Sequence, residues 1–391
     1  MIAFEEALNT VLLSAKLLST EPVFLDQSLK RILARDVFSD MDMPPFNKSA
    51  VDGYACHKTD LLSPLTVVEV IPAGVVPEKI IGKGQCSKIM TGAMVPEGVD
   101  VVIMVEDTVE ISKGEILFVG QKTGVNICYR AEDIRSGDKV LDAGTLICPS
   151  HIAVLAAVGC AMPLVYRQPV VAILSTGDEL VEPAMKPKLS QIRNSNAAQL
   201  TAQITSMNAI PVYLGIVPDV EEQTRKAIEQ ALSKADVVLL TGGVSMGDYD
   251  LVPRILHEQK VEILFESIAV QPGKPTVFGV RDRKYIFGLP GNPVSSFVQF
   301  EMLVKPLLYA ISGHTYCPIQ LKLPLAVDYT RRNNQRRAFV PVTIQHLGEV
   351  EPIEYHGSAH IHAYVSAHGI MSVPPGITHI KKGDLVDVRS L

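Results

Sequence analysis

Three short loops concentrate the residues able to do chemistry in this chain: STGDEL at 175–180, TGGVSMGDYD at 241–250 and GLPGNPVSS at 288–296. In the second, Gly242, Gly243 and Gly247 let the backbone approach a ligand and turn N–H groups toward phosphate. The same glycines would also serve simply to turn the chain from strand to helix. In the third, Pro290 and Pro293 stiffen the turn and withhold donors while Gly291 and Asn292 tolerate left-handed angles, so a rigid connection is the plainer reading there. Asp178, Glu179, Asp248 and Asp250, with Asp219 farther along, make an unusual set for an anion site. Carboxylates repel phosphate unless a cation intervenes, and Mg²⁺ favours one or two carboxylates plus phosphate oxygens. The set predicts Mg²⁺; helix capping is the competing use, above all for Asp178 and Asp219. QPGKP at 271–275 holds Lys274 between Gly and Pro, either as a partner for phosphate or another oxyanion or as a surface lysine beside a turn.

The elements that must position these loops read as alternating strand and helix from about 167 to 317. Apolar strands are expected at 170–174 (VVAIL), 211–215 (PVYLG), 237–240 (VVLL) and 285–288 (YIFG), and helices at Ala197–Ser206, Glu221–Ser233, Leu251–His257 and Val294–Leu308. Continuous apolar strands between helices imply a mostly parallel sheet covered on both faces, whose ligands gather beyond the carboxyl ends of the strands. All three loops lie there. The N-terminal Phe4, Leu8, Val11, Leu12, Ala15 and Leu18 recur at helical spacing and lack a basic leader, so they read as an amphipathic helix and not a signal peptide. Residues 45–135 turn to short β-branched runs with Gly and Pro punctuation. A helical pattern returns near Ile152–Val158, and 318–391 is strand-like again, reading as a small β-barrel or sandwich.

The bulk numbers bound the function. With 391 residues, several domains are expected. A formal charge of −6 argues against a nucleic-acid surface. No stretch reads as a membrane span: Ile152–Val165 contains Gly159 and Pro163 and is shorter than the roughly 20 residues required. Six dispersed cysteines without a C-x-x-C pair suit reduced thiols in a cytoplasmic protein. His360 and His362 would share a strand face and could ligate a transition metal, with solvent exposure as the blander use of this tail, which also holds His356 and His368.

The β-rich segment carries PPFNKSAVDGYA (44–55), IMTGAMVPEGVDVVI (89–103) and YRAEDIRSGD (129–138), where Asp52, Thr91, Glu132 and Asp133 sit beside small residues without any local chemistry of their own. Taken in order with GDEL, GGVSMGDYD, QPGKP and GLPGNPVSS, these segments resemble the MoeA-type molybdopterin molybdenumtransferases, a family that includes the C-terminal domain of gephyrin. The match spans nearly the whole chain. It implies a discontinuous helical domain (1–44 and 136–166), a β-rich insertion (45–135), an α/β domain similar to molybdopterin adenylyltransferases (167–317) and a C-terminal β-barrel (318–391). It also implies a homodimer with its cleft between protomers, and contacts with molybdopterin adenylyltransferase and molybdoenzyme assembly proteins.

By motif, Asp52, Thr91 and Asp133 look like the insertion's catalytic contribution, and Glu179, Asp219 and Asp250 that of the α/β domain, with Asp219 and Asp250 on Mg²⁺. Ser245, Lys274, Pro275 and Ser295 resemble the molybdate and phosphate pocket, Gly242, Gly243 and Pro290 its backbone walls, and Ser358 its C-terminal edge. The implied reaction inserts molybdate into adenylated molybdopterin and releases AMP. Two departures each remove a cation from that pocket: Gln271 where many relatives have Lys, and Pro341 where the family places Arg. A charged hydrogen bond contributes about 1.5–3 kcal/mol, so weaker molybdate binding is expected unless Arg336 or Arg337 compensates. Adenylation of molybdopterin and a non-catalytic assembly scaffold are the competing functions.

Overall fold

A computed structural model of the chain describes residues 1–243, 252–354 and 357–391. Ser245, Gly247, Asp248, Asp250 and His356 lie outside the described residues. The chain forms two compact units, one of residues 1–35, 143–148 and 163–391, the other of residues 36–142 and 149–162.

The first unit opens with helix α1, Phe4–Ser14, which buries Ala7 and Val11 and sets Phe4 edge-on to Phe339 at 5.2 Å between centroids. The α/β part then runs β1 (Val170–Thr176), α2 (Ser195–Ser206), β2 (Ile210–Val217), α3 (Glu221–Lys234), β3 (Val237–Thr241), α4 (Val252–Glu258), β4 (Glu262–Phe265), β5 (Val277–Arg281), β6 (Lys284–Leu289) and α5 (Pro293–Gln299). The strands order as β2-β1-β3-β6-β5-β4, parallel from β2 to β6 and antiparallel through β5 and β4.

Alternation along the central strands explains their unbroken apolar sequence. Val171, Ile173, Val237, Leu239 and Phe287 pack against Leu200 and Ile204 of α2 and Val298 of α5 on one face. Ala172, Leu174, Val238, Leu240 and Ile286 pack against Ile228 and Leu232 of α3 and Ile255 of α4 on the other. Each of these Val, Leu, Ile and Phe side chains contributes about 1.5–3 kcal/mol by leaving water, which makes this sheet the rigid floor of the molecule's loops.

The helix expected over Val294–Leu308 is longer and irregular. It continues from α5 through a widened turn at Phe300–Val304 and ends at Ile311. Pro306 supplies the reason, because it lacks an N–H and crowds the carbonyl four residues before it, so the ladder widens just upstream. This stretch, Pro293–Ile311, is also the one described helix long and apolar enough to cross a bilayer, and 72% of its apolar window is buried inside the protein. It is a core helix.

Beyond it, strands Arg337–Ile344, Gly369–Val373, Leu385–Ser390 and Gln320–Pro324 form an antiparallel sheet over Val340, Val342, Met371 and Val388. Val270–Gln271 adds to it in parallel, with Gln271 opposite Ala338. The QPGKP segment is thereby anchored to the strand that carries Pro341. The histidines do not share a strand face: His362 lies inside a 3₁₀ turn, Ile361–Tyr364, and His360 precedes it, their rings 6.4 Å apart. Among the described residues no three His, Cys, Asp or Glu side chains gather as a metal site.

The second unit is built on a six-stranded sheet ordered Val101–Met104, Gly53–Cys56, Gln85–Ile89, Leu65–Ile71, Glu115–Phe118 and Thr108–Ser112. Gly53 is pressed so closely by its neighbour that a Cβ there would stand 1.8 Å from the Ile103 carbonyl oxygen. Cys56 and Cys86 face one another across this sheet, and burial pushes both thiols up to about 12. None of the six cysteines is in a disulfide, and these two are shielded from reaction.

Candidate functional site

A cavity of about 420 Å³ opens beyond the carboxyl ends of β1, β3 and β6. Its wall includes Thr176 and Glu179 from the first loop, Gly242 and Gly243 from the second, Pro290 and Gly291 from the third, and Pro275 of QPGKP. The parallel sheet dictates this meeting, since strands running the same way deliver all their following loops to one edge.

Local features hold each loop. Gly242 and Gly243 adopt φ of +89° and +61°, and the Gly242 N–H donates to the Leu289 carbonyl at 3.4 Å, tying the second loop to the third. In the first loop, the Asp178 carboxylate accepts the Asp219 N–H at 3.3 Å. Asp219 does not cap α3, whose start is Val220 with no side-chain cap. Capping of α2 falls instead to Asn194, whose side chain accepts the Ala197 N–H at 3.2 Å. Asp178 and Asp219 therefore stitch two strand-end loops together, and Glu179 is among the residues that line the cavity.

Ser295 is buried in the first turn of α5. Just before it, Asn292 donates from its amide to the Ser358 hydroxyl at 2.7 Å, and the Val294 N–H donates to the Ser358 carbonyl at 3.1 Å. Ser358, some sixty residues later, is thus brought to the third loop. Lys274 is exposed, and its carbonyl accepts the N–H groups of Ile268 and Thr276, both at 3.0 Å.

The two departures lie on neighbouring strands, Gln271 opposite Ala338 and Pro341 three residues farther along. Of the arginines that could replace the lost cations, Arg337 is taken by Glu5 and by the Ser372 hydroxyl, while Arg336 donates to the Val270 carbonyl at 3.1 Å, next to Gln271. A cavity of about 550 Å³ beside them is lined by Gln271, Arg331, Arg332 and Phe339. Arg331 spends its guanidinium on the carbonyls of Ile377, Arg336 and Pro374.

The remaining candidates belong to the second unit. The Asp52 carboxylate accepts both the N–H and the hydroxyl of Thr91, at 2.6 and 2.9 Å, and the backbone bond first, then the side-chain one, holds it below the usual aspartate value. Asp133 sits on the adjoining loop, its N–H donating to the Met43 carbonyl at 3.1 Å, while the Glu132 carboxylate accepts the Tyr129 N–H. Thr91→Val should let the Asp52 pKa rise toward 3.8, moving the acid limb of the turnover profile to higher pH. An unmoved profile would show that the ionisation of Asp52 does not enter the rate.

Sequence reasoning passed over Asn196 and Thr176, both on the wall of the strand-end cavity. The signal was present in RNSN at 193–196, where an asparagine beyond the one needed for capping stands at the start of a helical pattern.

Comparison with known proteins agrees along the chain. Residues 2–159 match the family model described as the MoeA N-terminal region (domain I and II), 172–310 a probable molybdopterin binding domain, and 322–391 the MoeA C-terminal region (domain IV). The molybdopterin molybdenumtransferase of Staphylococcus epidermidis is 34% identical over 397 residues, covering 99% of this chain and 95% of that protein. That of Bacillus subtilis is 34% identical over 402 residues, covering 99% and 93%. A crystal structure of the molybdopterin biosynthesis MoeA protein of Pyrococcus horikoshii OT3 superposes with a TM-score of 0.86 at 28% identity over 100% of both chains.

Proposed function

Since the chain belongs to the MoeA family of molybdopterin molybdenumtransferases, we propose that it inserts molybdate into adenylated molybdopterin with release of AMP. It is an enzyme of molybdenum cofactor biosynthesis, with molybdopterin and molybdate as substrates. The observation that supports a substrate site at the strand ends is the 420 Å³ cavity itself, where a glycine loop with two positive φ angles, a carboxylate and the Pro275 turn converge.

In this reading the pyrophosphate of the substrate lies along Gly242, Gly243 and Ser245, and molybdate docks near Lys274, Pro275, Ser295 and Ser358. Pro290 keeps the third loop rigid. Attack of a molybdate oxygen on the phosphoanhydride breaks its P–O–P link, releases AMP and leaves that oxygen on phosphorus as the two dithiolene sulfurs replace it on molybdenum; if water attacks instead, the displaced molybdate oxygen leaves as water with the two thiol protons, and in either case proximity supplies much of the rate. Glu179 handles the proton at this site, and Asp52, Thr91 and Asp133 keep the catalytic roles that their motifs imply, Asp52 as a carboxylate. Arg336 is the cation placed to offset Gln271, while Arg337, held by Glu5, is not.

Carboxylates in these loops suit Mg²⁺ carried by substrate phosphates, which needs one or two carboxylates and not a closed protein cage. Asp178 and Asp219 bring carboxylate-bearing positions together at the strand ends, and Asp219 with Asp250 would hold the ion. Bound there, Mg²⁺ would neutralise charge on the phosphates. The working form is a cytoplasmic homodimer, with molybdopterin adenylyltransferase and molybdoenzyme assembly proteins as its neighbours in the pathway.

The test is AMP release from adenylated molybdopterin by the purified protein. Release should require molybdate, stop on chelation with EDTA and return with added Mg²⁺. Release that ignored molybdate, or synthesis of adenylated molybdopterin from ATP in its place, would overturn the proposal.

A further inference from the structure

Two polar atoms of residues lining the strand-end cavity have no hydrogen-bond partner among the described residues: Asn196 Oδ1 and Thr176 Oγ1. Both residues are more than nine-tenths buried, at 8% and 4% exposure. Buried acceptors and hydroxyls are almost always satisfied, and leaving one without a partner is costly. Two on one cavity therefore point to something that satisfies them when it is filled.

The geometry fixes what Asn196 can offer. Its amide nitrogen donates to the Gly291 carbonyl at 2.8 Å. Turning the amide over would set two oxygens face to face, so Oδ1 is left as a pure acceptor. Its neighbour Asn194 has no such vacancy, because its oxygen caps Ala197 and its nitrogen donates to the Tyr213 hydroxyl at 3.0 Å. Thr176 Oγ1 lies under the glycine loop, 3.0 Å from where a Cβ on Gly242 or Gly243 would stand. Side chains at those positions would close over the hydroxyl.

We propose that Asn196 reads the substrate: its Oδ1 accepts a hydrogen bond from a neutral N–H or O–H group of the ligand, while the Thr176 hydroxyl, under the glycine loop, donates to the phosphates laid along that loop. The inference rests on the strand-end cavity as the substrate site. It adds an orientation. An amide oxygen repels ionised phosphate, which at neutral pH has little hydrogen to donate. The Asn196 end therefore takes a heterocyclic amine or a sugar hydroxyl, with the phosphates directed away from it.

The experiment measures calorimetric binding of paired probes to the unaltered protein and to Asn196→Leu. The probes are AMP against purine riboside 5′-monophosphate, which lacks the amine; AMP against its 2′-deoxy analogue; and pterin against lumazine, which lacks the pterin amine. On the unaltered protein one donor-deleted probe should bind about 10-fold more weakly than its parent, and that ratio should fall to near one in Asn196→Leu. The pair that responds identifies whether adenine, ribose or pterin supplies the donor. If no deletion weakens binding to the unaltered protein, or if every ratio survives the substitution, the assignment of Asn196 is overturned while the cavity stands. If the unaltered protein binds neither AMP nor pterin, the cavity falls as the substrate site and the assignment with it.

Discussion

Gly242→Val should lower molybdate-dependent AMP release by about 100-fold while the protein stays folded. The residue has φ of +89°, where a β-branched side chain is strained, and its Cβ would stand 2.4 Å from the Thr176 carbonyl oxygen. That oxygen belongs to the end of a sheet strand and cannot retreat, so the glycine loop must move. Conformational strain of this kind costs about 1–3 kcal/mol, which a protein of this size survives. A displacement of about 1 Å in a group that positions phosphate costs on the order of 100-fold in rate. The measurement is turnover beside a thermal melt. Near-normal turnover would mean that the loop does not touch the reacting groups, and the strand-end site would have to be abandoned.

Asp236→Ala should act in the opposite way, destabilising the first unit without specific harm to chemistry. Asp236, 9% exposed at its side chain, accepts two hydrogen bonds of 2.7 Å from Arg167 and a third from the Val170 N–H at 3.0 Å. The cluster joins the amino ends of β1 and β3, the edge of the sheet away from the loops. Removing one partner of a largely buried ion pair costs about 3–5 kcal/mol; with Arg167 one-third exposed the lower end applies, a fall in Tm on the order of 5–10 °C. Burial alone would raise the Asp236 pKa, but the Arg167 guanidinium and the Val170 N–H outweigh it and hold it below 3.8. A depressed folded pKa contributes stability that is complete above the ordinary value and disappears as pH falls through the folded one. The variant should therefore lose part of the acid-limb slope of stability along with its Tm. A melt unchanged at neutral pH would show the pair to be replaceable by water.

Much of the architecture was legible because periodicity and punctuation are local. The strands at 170–174 and 237–240 announced a doubly covered sheet through unbroken apolar runs, since both their faces are buried. The antiparallel strands β4 and β5 were not legible. The turn at Asp282, φ +56°, which joins β5 to β6, contains neither Gly nor Asn, and an edge strand such as EILF reads equally well as helix.

The candidate site divides in the same manner. Gly242, Glu179 and Pro275 could be named from loop composition after a strand, and Lys274 from its stiff turn. Neither the link of Ser358 to Asn292 nor the use of Arg337 by Glu5 could be read along the chain, because each joins residues tens or hundreds of positions apart. The competing use of Asp219 as a helix cap falls to no side chain at all: α3 starts at Val220 without one, and the Asp219 N–H is itself accepted by Asp178 on another loop.

Residue order alone determined that this chain would build a parallel sheet, deliver glycine-rich and acidic loops to one of its edges, and carry the motif series of its family, since those are matters of local propensity and spacing. Tertiary structure alone decided which polar atoms are spent and which are left over. Asn194 and Asn196 are the same residue type two positions apart, yet packing satisfies both ends of the first and only one end of the second. Hydrogen-bond satisfaction depends on neighbours in space, and no pattern along the chain encodes that difference.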